Sequence, residues 1–172
     1  MTTDYAYIMN DDGTISVSGY TGSDTDLTVP GLIDGYVVTG IADHAFEANA
    51  DIKSITLPNG LIAIGESAFS DCSSLTTVVI PDTVGTIRRG AFISCTALTT
   101  LDIPASVTEI MEEAFTGCAA LKDLTVESST VEFTNWWVDT DEIPSDLTIT
   151  CPKDSKIAAW AEKNNVATEP LS

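Results

Sequence analysis

The residues best able to do chemistry in this chain are four cysteines and one histidine. Cys72, Cys95 and Cys118 recur at intervals of 23 residues, and Cys151 lies outside that series. A nucleophilic site needs a base close to its Ser, Thr or Cys, but His44 occupies a variable position with no repeated partner. A zinc site needs Cys or His ligands at close spacing. The pattern therefore predicts no catalytic or zinc site, and a solvated side chain for His44.

The three periodic cysteines could instead form disulfides. Equivalent residues in stacked coils lie about 5 Å apart, which permits a bridge. Their Cβ vectors point the same way, however, and a disulfide needs them to converge. Three cysteines in one column also leave one unpaired. We therefore expect buried, reduced thiols that act as small hydrophobic side chains.

Two charged clusters offer weaker chemical signals. Asp139, Asp141 and Glu142 could hold a calcium ion together with backbone oxygens. Clusters of this kind arise readily by chance in an acidic chain, so a solvated cluster is favoured. Arg88-Arg89, the only arginines, fit a surface pair. No glycine-rich phosphate loop precedes a helix and a lysine. We predict no cofactor, no metal and no enzymatic activity.

The charge balance limits the classes of partner. The 172 residues include 26 acidic and 7 basic ones, which gives a net charge of −19. Nucleic acids and anionic membranes require a basic face, so neither is expected as a partner. No stretch is apolar enough to span a bilayer. The first residues lack a signal peptide, which indicates either a cytosolic protein or a trimmed or internal piece of an exported one.

The cysteines belong to a longer repeat that must position every side chain. A fixed period of this length is typical of stacked coils, each covering the apolar face of its neighbour. Leu101-Asp102-Ile103 alternates like a short strand, and Ala91, Phe92 and Cys95 fit one helical or 3₁₀ turn. The recurring positions are Pro58, Pro81 and Pro104; Ile64, Ile87 and Ile110; Phe69, Phe92 and Phe115; and Leu75, Leu98 and Leu121.

The same spacing divides residues 1–172 into one repeat domain. Residues 1–29 read as an N-terminal β-hairpin cap, 30–149 as five coils, and 150–172 as a C-terminal cap helix beginning at Asp154 or Ser155. The first coil carries an insertion near Asp34-Gly35, and the fifth is degenerate. The strands are expected to keep one register through Leu57, Ile80, Ile103, Val126 and Ile149, which are 23 residues apart.

Outward positions of these strands form a candidate binding surface. They give a stripe of hydroxyls that becomes acidic toward the C-terminal end, although the β-propensity of threonine alone could explain it. Trp136 is a further candidate, because one residue of Trp136-Trp137 could face outward while the other fills the core; filling of the core by both is the alternative. The candidate partner-binding residues are Thr77, Val79, Thr100, Asp102, Asp123, Thr125, Asp146 and Trp136.

The pattern Ile-x-x-x-Ala-Phe-x-x-Cys-x-x-Leu-x-x-Leu-x-Ile-Pro resembles the BspA-like leucine-rich repeat of bacterial surface proteins. It is clear in three copies over 58–126 and weaker over 38–57, where Asn49 replaces Cys. The resemblance implies a right-handed solenoid with a parallel sheet on its concave side, turn or 3₁₀ segments on the convex side, and a place at the cell surface or outside the cell. It transfers no catalytic residue.

Two functions are compatible with these observations. The first is a non-enzymatic protein-binding module, such as an adhesin or interaction domain that binds a host or extracellular matrix protein. The second is a structural spacer or assembly domain without a ligand of its own. A binding module should carry an exposed charged or aromatic cluster on one face, whereas a spacer should have a bland face and ends that stack.

Overall fold

The computed structural model of the chain describes residues 4–137 and 142–171. They form a solenoid of short, mostly parallel strands with one helix. In chain order the elements are β1 (Tyr5–Met9), β2 (Ile15–Tyr20), β3 (Asp26–Thr28), β4 (Leu32–Ile33), β5 (Tyr36–Ile41), β6 (Ser54–Thr56), β7 (Ala63–Ile64), β8 (Thr77–Val79), β9 (Thr86–Ile87), β10 (Thr100–Ile103), β11 (Glu109–Ile110), β12 (Asp123–Val126), β13 (Glu132–Phe133), β14 (Thr148–Cys151), α1 (Lys156–Lys163) and β15 (Ala167–Pro170).

The predicted strands form one side of the solenoid, which we call the front sheet. It comprises β3, β6 and β8, followed by β10, β12, β14 and β15. Pairing is parallel within both groups, and equivalent residues of adjacent coils lie side by side, as in Ser54 beside Thr77 and Thr100 beside Asp123. A proline ends β6, β8 and β10 one or two positions after the strand, because it cannot donate to a further ladder.

A second parallel sheet, the back sheet, was not anticipated from the sequence. It contains β2, β5, β7, β9, β11 and β13, with β1 antiparallel at its edge. Its repeated strands are only two residues long, which is too short to show an alternation of apolar and polar residues. Ile87, for example, pairs with Ile64 and Ile110 in this sheet. All three side chains are fully buried.

The third side of each coil is a series of turns that also joins neighbouring coils. The residue before each Ala-Phe pair has left-handed backbone, with φ of 60° at His44, 50° at Ser67, 59° at Gly90 and 61° at Glu113. Amide groups of one turn donate to carbonyls of the next coil, as in Phe69 N to Ala91 O at 2.8 Å. The turn alternative predicted for this side is therefore the observed one, and all three sides carry hydrogen bonds along the solenoid.

The core is a stack of identical layers. The rings of Phe46, Phe69, Phe92 and Phe115 form one column, with centroids 5.2, 5.4 and 6.0 Å apart and interplanar angles of 4°, 6° and 12°. The last three are fully buried. The four cysteines are free thiols and are buried beside this core, as the repeat pattern predicts for the three periodic ones.

The N-terminal end begins with the β-hairpin that the sequence indicates. β1 and β2 pair antiparallel around a turn in which Gly13 has φ of 83°. The insertion in the first coil is a second small hairpin of β4 and β5, and its turn residues Asp34 and Gly35 have φ of 51° and 88°. Positive φ at both positions is the backbone that a two-residue hairpin turn requires.

The strand register changes in the fifth coil. Leu124 pairs with Ile149, an interval of 25 residues, so the expected alignment of Val126 with Ile149 is wrong. Two extra residues precede β14. This shift accounts for Cys151, which the repeat pattern left unexplained: it takes the position equivalent to Val126 and is 1% exposed.

The C-terminal end combines the predicted helix with an additional strand. Ser155 caps α1 by accepting a hydrogen bond from the Ala158 amide, and Ile157 and Ala161 bury their side chains. The chain then returns as β15, which pairs in parallel with β14. The segment expected to be only a helix therefore also extends the front sheet.

Candidate binding surface

The outward positions of the front sheet form two continuous rows, which we call the front face. Side chains on a strand alternate between faces, so every second residue of each strand contributes. Residues of a row are direct neighbours across strands within β3, β6 and β8 and within β10, β12, β14 and β15, and β8 packs beside β10. One row is Asp26, Ser54, Thr77, Thr100, Asp123, Thr148 and Ala167, and the other is Thr28, Thr56, Val79, Asp102, Thr125, Thr150 and Glu169.

Six of the eight predicted site residues lie together on the front face. Thr77, Val79, Thr100, Asp102 and Asp123 are exposed, and Thr125 is half-buried. The six occupy three consecutive strands, because β8, β10 and β12 stack at a constant interval. These six residues thus form a polar surface with one aliphatic side chain, Val79, which is 49% exposed.

Asp146 was expected to extend the acidic end of this face, and that prediction is wrong. The two extra residues of the fifth coil place Asp146 before β14, so Thr148 lies beside Asp123 instead. The Asp146 carboxylate lies 3.4 Å from the Lys122 ammonium, and both side chains are 60% exposed. An exposed pair of this kind contributes little to stability.

Trp136 does not face outward, which corrects the second prediction. It is fully buried, and Trp137 is 5% exposed. Both indoles continue the aromatic core where the degenerate coil lacks the Ala-Phe pair: the Trp137 ring lies 5.5 Å from Phe115 and 5.9 Å from Trp160 of α1. Core filling by both, the alternative interpretation, is the observed one.

The charge on the front face is negative. Asp102 and Asp123 are exposed, and no Lys, Arg or His of residues 4–137 and 142–171 forms an ion pair with either. Asp26, at the N-terminal end, accepts a hydrogen bond from Ser54 Oγ. Unpaired carboxylates on a flat surface leave their field available to an approaching cation.

The sequence analysis did not identify the C-terminal part of the front face. Thr150, Ala167 and Glu169 lie there because of the two-residue shift and because β15 adds a strand. Residues 167–170 are all exposed, so no apolar alternation marks this strand in the sequence. It ends at Pro170, which suits an edge strand because proline cannot donate to a further partner.

The three periodic cysteines are held as protonated thiols. The Sγ atoms of Cys72, Cys95 and Cys118 each donate to a phenylalanine carbonyl in the preceding coil, at 3.1 Å in all three cases. Burial raises the pKa of Cys72 and of Cys118 to about 12, and it also raises the pKa of Cys95. A thiol that stays protonated is a poor nucleophile and a poor metal ligand.

The other candidates from the sequence analysis were His44 and the suggested calcium cluster. The exposed His44 has its Nδ1 3.0 Å from a Glu47 carboxylate oxygen, on the same turn. Asp139 and Asp141 of the suggested calcium cluster lie outside the described residues. Within residues 4–137 and 142–171, no three His, Cys, Asp or Glu side chains are grouped to hold a metal ion, and no helix is long and apolar enough to cross a membrane.

Comparison with known families gives a match over most of the repeat region. Residues 38–148 match the BspA type leucine rich repeat region, in six copies. None of the curated proteins compared with this chain matches it.

Several solved structures have the same architecture. A leucine-rich repeat protein of T. pallidum superposes with a TM-score of 0.78 at 26% identity, covering 86% of this chain and 68% of its own. One from Bacteroides capillosus has a TM-score of 0.65 at 32% identity, covering 72% of this chain and 94% of its own. A leucine rich cell surface protein of Faecalibacterium prausnitzii has a TM-score of 0.64 at 28% identity; the match covers 98% of this chain but 46% of that protein.

Proposed function

The chain belongs to the BspA-type leucine-rich repeat family, and from that membership we propose that it is a non-enzymatic binding module of a bacterial surface protein. Its role is that of an adhesin or interaction domain, and its partner is a host or extracellular matrix protein. The front face is the surface that engages this partner. A place at the cell surface is supported by the Faecalibacterium prausnitzii relative, which is described as a cell surface protein.

The observation that carries the proposal is the continuity of the front face. Seven stacked strands, in a group of three and an adjoining group of four, present two rows of mostly short polar side chains. A rigid surface of this kind binds without first ordering flexible loops, which lowers the entropic cost of association. Repeat proteins use extended surfaces of this type for recognition.

The chemistry of the face selects a basic partner. Asp102 and Asp123 are diagonal neighbours on β10 and β12, since Asp102 lies opposite Thr125 and Asp123 lies opposite Thr100. A net charge of −19 steers a basic surface toward the molecule and accelerates association. The surrounding hydroxyls of Thr77 and Thr100 can donate to or accept from the partner's backbone.

The direct test is a binding screen against immobilised extracellular matrix and host surface proteins, at low and at physiological salt. We expect at least one basic protein to bind, with association slowed at higher salt because the screening length falls to about 8 Å. Failure of every protein to bind under either condition would contradict the proposal and favour the spacer role.

A further inference from the structure

The back sheet carries a cleft that is separate from the front face. It has a volume of about 500 Å³, within the range of roughly 300–1,000 Å³ that is typical of ligand pockets. Its floor is a cross-strand row of small residues, Ser16, Gly40 and Ala63, on β2, β5 and β7. Ile8 on β1 stands at one end of that row, opposite Ser16. The row therefore forms a trough bounded by a large side chain at the sheet edge.

Gly40 is necessary for the depth of this trough. A Cβ at that position would lie 2.5 Å from Ser16 Oγ, closer than a Cβ atom approaches a non-bonded oxygen. Ser16 Oγ is itself held by a hydrogen bond to Asn10 Oδ1 at 3.0 Å. The floor is thus shaped by a residue without a side chain and by a fixed neighbour.

The walls of the cleft expose aliphatic surface. Ile8 is 52% exposed and Ile62 is 58% exposed, and both line the cleft. Large aliphatic side chains on the surface of a soluble domain often mark contact sites when they converge on a concave region.

The rim of the cleft is acidic and already ordered. Asp11, Asp12 and Asp43 line it together with a single base, Arg88, an excess of two negative charges. Asp12 Oδ1 accepts hydrogen bonds from the backbone amide and the hydroxyl of Thr14, which lower the pKa of its carboxyl and keep it ionised.

The opposite part of the rim is fixed in the same way. Asp43 Oδ1 accepts from the Glu66 amide at 2.7 Å and lies 3.6 Å from Arg88 Nη1. Carboxylates held in place before binding lose little conformational freedom when a cation arrives. Arg88 in turn can donate to a carbonyl oxygen of a bound backbone.

We propose that this cleft is a second binding site, which takes a short extended peptide segment whose lysine or arginine side chain lies next to a branched aliphatic one. The aliphatic side chain packs between Ile8 and Ile62, and the cation contacts Asp11 or Asp43. Apolar walls with an acidic rim match this combination of groups and disfavour an acidic peptide or a phosphate.

The test is an NMR titration of the ¹⁵N-labelled chain with the peptide acetyl-Val-Lys-Val-Lys-Val-amide. We expect saturable shifts at the amides of Ile8, Gly40 and Ala63. The matched peptide with glutamate in place of lysine, and spermidine as an amine without a peptide backbone, should each bind at least about tenfold more weakly.

Peptide binding to single-residue variants tests whether the cleft is the binding site. Ile62→Lys should weaken binding of the lysine peptide by about tenfold, whereas Val79→Lys, the same exposed aliphatic-to-lysine change on the front face, should alter it less than about twofold. Asp11→Lys, in the exposed β1–β2 turn, gives a second variant that does not alter the sheet and should weaken binding similarly.

Four outcomes would overturn the inference: no shifts, shifts confined to the front sheet, equal binding of the glutamate peptide or spermidine, or unchanged binding to both Ile62→Lys and Asp11→Lys. The proposed function concerns the front face and not this cleft, so failure of the cleft to bind leaves the proposed function untouched.

Discussion

The thiol of Cys95 donates a hydrogen bond to the carbonyl oxygen of Phe69, 3.1 Å away in the preceding coil. Cys118 makes the same contact with Phe92. The periodic cysteine is therefore a polar link between coils as well as a small hydrophobic residue. The Phe69 carbonyl already accepts from the Cys72 amide of its own coil at 3.2 Å, so the thiol adds a second, inter-coil donor to it.

These thiols make the stability of the protein sensitive to alkaline pH. Burial raises the pKa of Cys72 and Cys118 from 9.0 to about 12 and also raises that of Cys95. The folded chain therefore keeps protons that the unfolded chain loses above pH 9. The stabilisation is fully present below that pH, and each thiol should remove about 1.4 kcal/mol of unfolding free energy per pH unit above it.

The measurement is urea unfolding between pH 8 and pH 11 for the wild type and for Cys95→Ala. The variant should be less stable at neutral pH, with a shallower decline above pH 9 by about 1.4 kcal/mol per pH unit. Equal slopes in the two proteins would show that Cys95 does not titrate as its burial requires.

Thiol titration of the denatured, unreduced chain should also give four free groups, one for each cysteine.

The phenylalanine column should dominate the stability of the central coils. Phe92 is fully buried between Phe69 and Phe115, so Phe92→Ala removes two ring contacts and leaves a cavity. We expect a loss of about 3–5 kcal/mol in the free energy of unfolding, measured with denaturant. Val79→Ala, on the exposed front face, is the control and should stay within about 0.5 kcal/mol of the wild type. A similar loss for both would mean that the column is not the core.

Close packing of the coils makes one glycine irreplaceable. A Cβ at Gly65 would lie 2.5 Å from the carbonyl carbon of Ala42 and 2.6 Å from the Asp43 nitrogen, both backbone atoms. Gly65→Ala should therefore destabilise the fold by about 1–3 kcal/mol. At Gly85 the nearest atom, the Ile62 carbonyl oxygen, is 3.8 Å away, so Gly85→Ala should fold with the wild-type stability or better. Thermal unfolding of the two variants side by side makes the comparison, and equal midpoints would contradict the close approach.

The C-terminal cap should keep the solenoid monomeric. Deleting 152–172 removes β15 from the edge of β14 and Trp160 from Trp136 and Trp137. An open strand edge beside exposed indoles favours association, so light scattering should show dimers or larger species. A truncated chain that stays monomeric and equally stable would show that α1 and β15 do not protect the last coil.

Much of the fold can be predicted from the 23-residue interval of the repeat. Residues such as Phe69, Phe92 and Phe115 must occupy equivalent places if coils stack at a constant spacing, and an alternation such as Leu101-Asp102-Ile103 is typical of a strand. The back sheet was not predicted because two-residue strands show no alternation of apolar and polar residues. The strands of the front sheet were predictable, and most of the front face followed from them.

The errors have a common physical origin in the degenerate fifth coil. A shift of one residue turns a strand over, but a shift of two keeps the same face buried. Leu147 and Cys151 are both buried beside Ile149, so the apolar pattern fits either register and could not exclude the wrong one. Trp136 and Trp137 follow Asn135, whose φ is 39°. The residue types alone do not predict that local bend.

The central claim is that the front face binds a basic protein partner, and the most direct test is the association rate of two charge variants. Asp102→Asn with Asp123→Asn removes two charges from the face; Asp82→Asn with Glu112→Gln removes two exposed charges elsewhere. For any partner found in the screen, measured by surface plasmon resonance at low salt, the first variant should associate at least about threefold more slowly than the second, at unchanged stability. Equal association rates for the two variants would contradict the claim.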